Sequence, residues 1–194
     1  MTRTELIALL SERWQEHFAD EAASRVCDAD AVGELYRLVT ALPGEIPRSL
    51  RHTLLFRGAY VLERIYFRDR SAFGPCAEDF CRSAFPACMD PSARRHFGKI
   101  MVDLLEHTRP DVQMLDRIAG TAAEWASDPS TKVAVRVWAM EVLKRCRGRV
   151  AWVEEVWEDL LELQCGRATA GIESRMRRSW RPNPSARTED AFGK

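Results

Sequence analysis

Apolar residues recur every three or four positions along most of the chain, and no segment alternates apolar and polar residues as a half-buried strand does. Segments rich in glycine, proline and serine, such as "LPGEIP" at 42–47 and "SDPS" at 127–130, interrupt this pattern. The spacing therefore predicts an all-α protein. The predicted helices cover residues 4–27 (as one helix or two), 31–42, 47–68, 76–88, 92–108, 111–126, 130–146, 150–164 and 168–180.

The segment "KVAVRVWAMEVLKRC" at 132–146 is apolar on more than one side of its predicted helix. At about 100° per residue, Val135, Trp138 and Leu143 share one side, whereas Val133 and Val137 lie on the opposite side. A helix with one neighbouring layer needs a single apolar stripe, but a helix inside a stack of helices needs several. The pattern therefore predicts that this helix lies inside a stack.

Two markers repeat at similar intervals along the chain. The small residues Ala59, Gly98 and Ala139, each in an apolar helix, lie 39 and 41 residues apart, and the predicted helix starts at 92, 130 and 168 lie 38 residues apart. A period near 40 with two helices per unit is typical of HEAT and armadillo arrays. The sequence thus predicts a right-handed α-α superhelix of about four two-helix repeats, preceded by an N-terminal helical cap.

The length of 194 residues fits one domain, which we expect over residues 1–181. The remaining residues, 182–194, contain proline and little that could be buried, so they are predicted to be a flexible C-terminal tail. The first residues lack the pattern of a signal peptide, and no stretch approaches the roughly 18 apolar residues of a membrane span. We therefore expect a cytoplasmic protein with no membrane segment.

Few residues of the chain suggest a metal site, a catalytic site or a phosphate-binding site. The six cysteines include the cluster "CAEDFCRSAFPAC" at 76–88, but its gaps are wider than those of a zinc knuckle, so no metal site is predicted. None of the four histidines lies beside a recognisable nucleophile, and no glycine-rich phosphate loop is present. The sequence thus favours a protein without catalytic residues or cofactors.

Charge is distributed unevenly although 29 basic and 29 acidic residues cancel. The first helices of the predicted pairs carry a net negative charge and the second helices a net positive charge. Helical spacing pairs basic residues on successive second helices, which predicts a stripe that binds an anionic partner or nucleic acid. Its members are Arg57, Arg64, Arg95, Lys99, Arg136, Lys144, Arg175 and Arg178.

Three segments resemble a group of small bacterial HEAT-like repeat proteins: "RGAYVLERI" at 57–65, "KVAVRVWAMEVL" at 132–143 and "GIESRMRRSW" at 171–180. The resemblance implies that second helices line a concave side, which would make it a basic groove with an acidic back. Some members of the group carry the name adenylosuccinate lyase. We reject that label, because the Gly-Ser-Ser-x-Met-Pro loop of that enzyme has no counterpart here.

Two functions of different class fit such a groove. One is a non-catalytic interaction scaffold that binds an acidic protein or peptide. The other is a nucleic-acid binder similar in shape to HEAT-like alkylpurine DNA glycosylases, whose Trp-Asp-x-x-Asp pattern is absent here because Trp138 is followed by "AMEVL". A third interpretation is structural, with the arginines forming ion pairs within and between repeats. The sequence leaves the oligomeric state open.

Overall fold

The computed structural model describes residues 1–181, which contain ten α-helices and no strand. The prediction of an all-α protein is thus confirmed, whereas the predicted tail at 182–194 lies outside the described residues. The helices are α1 (Arg3–Ser11), α2 (Phe18–Asp28), α3 (Val32–Thr40), α4 (Arg48–Arg68), α5 (Arg70–Asp79), α6 (Ala93–His107), α7 (Val112–Ser127), α8 (Val133–Cys146), α9 (Ala151–Cys165) and α10 (Ala170–Arg175). The π-helical segments Phe80–Ala84 and Met176–Trp180 continue α5 and α10.

The predicted helix over 4–27 is two helices, α1 and α2. Thr2 and Glu5 form a capping box at the start of α1, in which each side chain bonds to the backbone N–H of the other. At the end of the helix, the Arg57 guanidinium donates to the carbonyl oxygens of Leu10 and Glu12. Carbonyls in the last turn have no partner within their own helix, so this side chain from α4 stabilises the end of α1.

The helix α5 begins six residues before its predicted start at 76, so the prediction that no helix runs through "FGP" at 73–75 is wrong. The Asp69 side chain caps the new start by accepting from the backbone N–H groups of Ser71 and Ala72. Phe73 is buried in the first two turns. Cap and buried ring together hold a helix that passes through Pro75 despite its missing N–H.

Contacts along the chain group into two compact units, Met1–Ile118 and the residues from Ala119 onward. In the first unit, α4 packs against α1, α2, α3, α5 and α6. Edge-to-face contacts join the buried rings of Tyr66, Phe73, Phe80 and Phe97. The expectation of a single domain over 1–181 stays a prediction.

In the second unit, α8 buries residues on more than one side, as its apolar pattern indicates. Val135, Ala139 and Leu143 are buried on one side, and Met140 is buried about 100° further round the helix. Val133 and Val137, on the side opposite the first three, are half-buried. The core of this unit also contains Trp157 of α9 and Trp180 at the end of the described chain. None of the described helices in either unit combines the length and apolar character that a bilayer crossing requires.

Polar side chains in both units join a helix to the next helix but one. In the first unit Tyr36 donates to Asp79 across 43 residues, and Tyr66 donates to Asp103 across 37 residues. In the second unit, Gln164 donates to the carbonyl oxygen of Ala126 across 38 residues. The sequence separations of these bonds lie close to the period that the sequence suggested.

All six cysteines are free thiols. Burial raises the pKa of Cys81 to about 11 and is also the main reason that the pKa values of Cys88 and Cys146 are raised to about 12. Cys165, in the last turn of α9, is exposed. Buried thiols of this kind act as small apolar side chains.

The close approach of α4 to α3 at Gly58 gives a test of the packing. A Cβ added at Gly58 would lie 2.5 Å from Cγ2 of Val39, a stiff β-branched side chain. We expect Gly58→Ala to lower the free energy of unfolding by about 1–2 kcal/mol through overpacking, although alanine favours helices by about 1 kcal/mol over glycine. Urea unfolding of Gly58→Ala, Val39→Ala and the double variant measures this. The double variant should be more stable than the sum of the single effects, and strict additivity would contradict the clash.

Candidate interaction surface

The basic residues that the sequence singled out in the first unit have different surroundings. Arg57, besides its bonds to α1, places its guanidinium carbon 5.3 Å from the centre of the Trp14 ring and 5.2 Å from that of Phe18. These distances are typical of cation–π contacts. Arg57 therefore contacts carbonyls and rings, and no carboxylate among the described residues.

Two further basic residues of this unit are paired with acids. Arg64 donates to both carboxylate oxygens of Asp20 at 2.7 and 2.8 Å, and Lys99 donates to Glu63 at 2.6 Å. Arg95 is exposed and makes no hydrogen bond or ion pair with the residues the structure describes. Helical spacing places it one turn before Lys99, on the side of α6 that reaches α4.

The predicted basic residues of the second unit are also mostly engaged. Arg175 donates to Glu141 at 2.9 Å and its guanidinium carbon lies 5.4 Å from the centre of the Trp138 ring, while Lys144 donates to Ser179 at 2.9 Å. Arg136 is only 6% exposed, so it lies inside the unit rather than on its surface. Arg178 is exposed, without a bond to another described residue.

The structural interpretation of the charges, ion pairing between neighbouring helices, therefore describes Arg64, Lys99 and Arg175. Arg95 and Arg178 are the two residues of the predicted stripe that are exposed and unpaired within the described chain. Exposed cations of this kind are the ones able to meet an anion from outside without first breaking an internal bond.

An aromatic patch that the sequence reasoning missed lies beside Arg57 in the first unit. We define it by Trp14, His52, Phe56 and Tyr60. The Trp14 ring stacks on Phe56 and Tyr60 at centroid distances of 5.8 and 6.2 Å, and His52 stacks on Phe56 at 6.4 Å. Trp14 is 43% exposed. The signal was available in the four-residue spacing of 52, 56 and 60, which places three rings on one side of α4.

A buried polar cluster lies next to the aromatic patch. The Glu63 carboxylate binds Nδ1 of His96 at 2.5 Å and Nζ of Lys99 at 2.6 Å. Burial alone would raise the pKa of Glu63, but the hydrogen bonds and charges of His96 and Lys99 outweigh it and hold this pKa below its usual value. The cluster therefore ties α4 to α6 through a carboxylate that stays ionised at neutral pH.

His96 has one feature of a catalytic histidine, because a carboxylate, Glu63, binds its Nδ1. Its ring is 4% exposed and stacks on Tyr60 at 4.9 Å. Nε2 is buried and has no hydrogen-bond partner, so no hydroxyl or thiol of the described residues stands ready as a nucleophile. The geometry thus gives His96 a packing position next to the aromatic patch.

Two other places in the first unit bring polar side chains together. A cavity of about 390 Å³ is lined by residues of 74–82 and 104–114. Of its charged groups, Glu78 and Arg82 bind each other, Arg109 donates to the Thr108 carbonyl and Asp111 accepts from the Met114 N–H. Asp103, Glu106 and His107 bring potential metal-binding atoms within 4.8 Å of one another. Asp103 already accepts from Arg70 and Tyr66, so its oxygens are engaged. Neither place has the convergent free polar groups of a specific small-molecule site.

Comparisons of the chain with protein-family models, with curated proteins and with solved structures found no significant match. The resemblance to small HEAT-like repeat proteins therefore stays an expectation from the sequence.

Proposed function

We propose that this protein is a non-catalytic scaffold that binds an acidic protein segment, and that the aromatic patch with Arg57 and Arg95 is the contact surface on its first unit. The observation that carries the proposal is an exposed tryptophan, Trp14, held against cationic Arg57. Tryptophan and arginine are the residues most enriched at the energetic centres of protein interfaces. Arg95, unpaired and exposed, supplies a charge that selects an acidic partner.

Pre-organisation supports this surface. Trp14 is held from below by Phe56 and Tyr60 and from the side by Phe18, and Arg57 is fixed by two backbone carbonyls. Side chains that are already ordered lose little conformational entropy when a partner binds. An acidic segment with an apolar side chain could therefore place that side chain on Trp14 and its carboxylates near Arg57 and Arg95.

The helices α3 to α10 are, in this proposal, two-helix repeats of a right-handed HEAT-like superhelix, with α1 and α2 as the N-terminal cap. The bonds within each unit that join alternate helices across about 40 residues support it. An experimental structure with a closed bundle in place of stacked repeats would contradict it. The free thiols support a cytoplasmic location, where disulfides rarely form.

A test needs one acidic probe and variants that act on the surface alone. We expect a short fluorescein-labelled peptide of mixed glutamate, aspartate and phenylalanine to bind the full chain at low ionic strength. The double variant Trp14→Ala/Arg95→Glu should weaken binding about 30-fold, the effect of losing about 2 kcal/mol at an interface centre. Fluorescence anisotropy measures the affinity, and circular dichroism checks that the variant keeps its helices.

The matched control is Arg109→Glu, which reverses the charge of an exposed arginine whose one hydrogen bond in the described part of the chain goes to its neighbour, Thr108. This control should change peptide affinity less than about threefold, since a single exposed charge outside the proposed contact surface contributes little to binding. Equal losses in the control and in the double variant would mean that the peptide senses overall charge. In that case, or if the peptide does not bind, the proposal fails.

A nucleic-acid function has one observation in its favour, the exposed and supported ring of Trp14 beside a guanidinium. Bases stack on such rings with about 1–3 kcal/mol each, independently of sequence. Oligo(dT) in the same assay distinguishes the two functions. If oligo(dT) binds wild type more tightly than the peptide does, and Trp14→Ala alone weakens it about tenfold, the alternative replaces the scaffold proposal.

A further inference from the structure

Arg136, on α8 of the second unit, is a buried cation that pairs with no carboxylate of residues 1–181. Its one hydrogen bond within that range runs from Nη1 to Oε1 of Gln164 at 3.4 Å, which is long for a guanidinium. Its Nε is buried and has no partner. An arginine side chain cannot escape this by losing its proton, because its pKa lies far above neutral pH. The structure therefore places a permanent charge where one buried donor, Nε, has no acceptor among the described residues.

The side-chain amide of Gln164, which Arg136 binds, is held in place and cannot shift to make a shorter hydrogen bond. Gln164 is fully buried, and its Nε2 donates to the carbonyl oxygen of Ala126 at 2.9 Å. Its amide is thus fixed with the oxygen toward Arg136, and an amide oxygen carries no formal charge. Burying an ionised group with only a weak neutral partner costs several kcal/mol.

A second cation lies at the same place. Arg167, which follows α9, donates to the carbonyl oxygen of Ser127 at 3.2 Å, one residue from the carbonyl that Gln164 binds. Burial lowers the pKa of Arg136, and the nearby charge of Arg167 lowers it further. Asp128, the residue after Ser127, accepts from Ser130 and Thr131. Two guanidinium groups thus lie near the end of α7, and each bonds to one oxygen of the described residues.

We propose that Arg136 and Arg167 form a binding site for a small oxyanion, a phosphate or a carboxylate, in the second unit. Two guanidinium groups offer forked N–H donors that match the paired oxygens of either ion. A bound oxyanion would supply the charge that Arg136 lacks, so the site would be stabilised by its ligand. This site belongs to the second unit and does not depend on the acidic-segment surface of the first.

The probe is inorganic phosphate, compared with chloride at equal ionic strength. At phosphate concentrations about ten times the dissociation constant, we expect the Tm of the full chain to rise by about 3–6 °C. Arg136→Met keeps the volume and apolar stem of the side chain without the charge. It should melt higher than wild type in phosphate-free buffer and should lose the response to phosphate.

Arg167→Gln keeps hydrogen-bonding capacity at a half-buried position, so this variant should fold. It decides the outcome if Arg136→Met does not fold. Calorimetric titration should show phosphate affinity falling at least tenfold in Arg167→Gln and unchanged in Arg178→Gln, whose arginine is exposed. Acetate in place of phosphate tells a carboxylate site from a phosphate site. An equal rise in Tm for all variants, or no binding to wild type by either ion, would overturn the proposal and leave hydration as the explanation for Arg136.

Discussion

Replacing Glu63 by alanine is expected to lower the free energy of unfolding by about 4 kcal/mol. The change removes a buried carboxylate that binds both His96 and Lys99, and it leaves a cavity where that carboxylate stood. Breaking a buried ion pair by removing one partner typically costs about 3–5 kcal/mol. Urea unfolding followed by circular dichroism measures the change.

The matched control is Glu78→Ala, because Glu78 is also paired but is 75% exposed, in a salt bridge to Arg82 one helical turn away. Exposed pairs of this kind contribute about 0.3–0.5 kcal/mol. We therefore expect the control to change stability by less than about 1 kcal/mol. Similar losses in the two variants would show that burial of the Glu63 cluster adds nothing.

The same cluster has a predictable dependence on pH. The pKa of Glu63 in the folded chain lies below its usual value of 4.5, so ionised Glu63 stabilises the fold at pH values above about 4.5. That contribution is lost as the pH falls through the folded-state pKa, where the carboxylate takes up a proton. The stability difference between wild type and Glu63→Ala should accordingly be largest near neutral pH and shrink in acid.

The second large effect is expected at Glu141 in the second unit. One oxygen of this buried carboxylate accepts from Arg175 at 2.9 Å, from Ser179 at 3.2 Å and from the Trp180 indole N–H at 3.0 Å. Glu141→Ala should lower the free energy of unfolding by about 3–5 kcal/mol, because three donors lose their acceptor at once. Trp180 fluorescence should shift to longer wavelength as the segment from α10 onward loosens.

Glu158→Ala is the control for this unit, since Glu158 pairs with Arg181 near the same end but is 68% exposed. We expect it to change stability by less than about 1 kcal/mol and to leave the tryptophan spectrum unchanged. A Glu141→Ala variant with native fluorescence and native stability would show that apolar packing of Ile172 and Trp180 alone holds the C-terminal helix.

The succession of helices along the chain and the pattern of buried residues could be predicted from the sequence, because both depend on the spacing of apolar residues alone. The apolar residues of 132–146 indicate a helix buried on several sides, and Val135 and Met140 are both buried in α8. The start of α5 could not be predicted in the same way. A proline usually marks a break, and the cap at Asp69 that outweighs it lies six residues upstream.

The partners of the charged residues could not be predicted from the sequence. Spacing places Arg64 and Arg136 on their helices, but the choice between solvent, a carboxylate and the interior depends on how each helix is rotated against its neighbours. Arg64 reaches Asp20, 44 residues away, while Arg136 turns inward to Gln164. A change of helix rotation by one residue, about 100°, would reverse such an outcome.

The unequal burial of the thiols has a practical use. The thiolate is the form that reacts with electrophiles, so the buried cysteines with raised pKa values react slowly, whereas exposed Cys165 is open to reagents. A maleimide dye should therefore attach at Cys165 first, without any cysteine being removed from the chain. Because Cys165 directly follows Gln164 and lies two residues before Arg167, the native sequence provides its own attachment point for a fluorescent reporter of oxyanion binding.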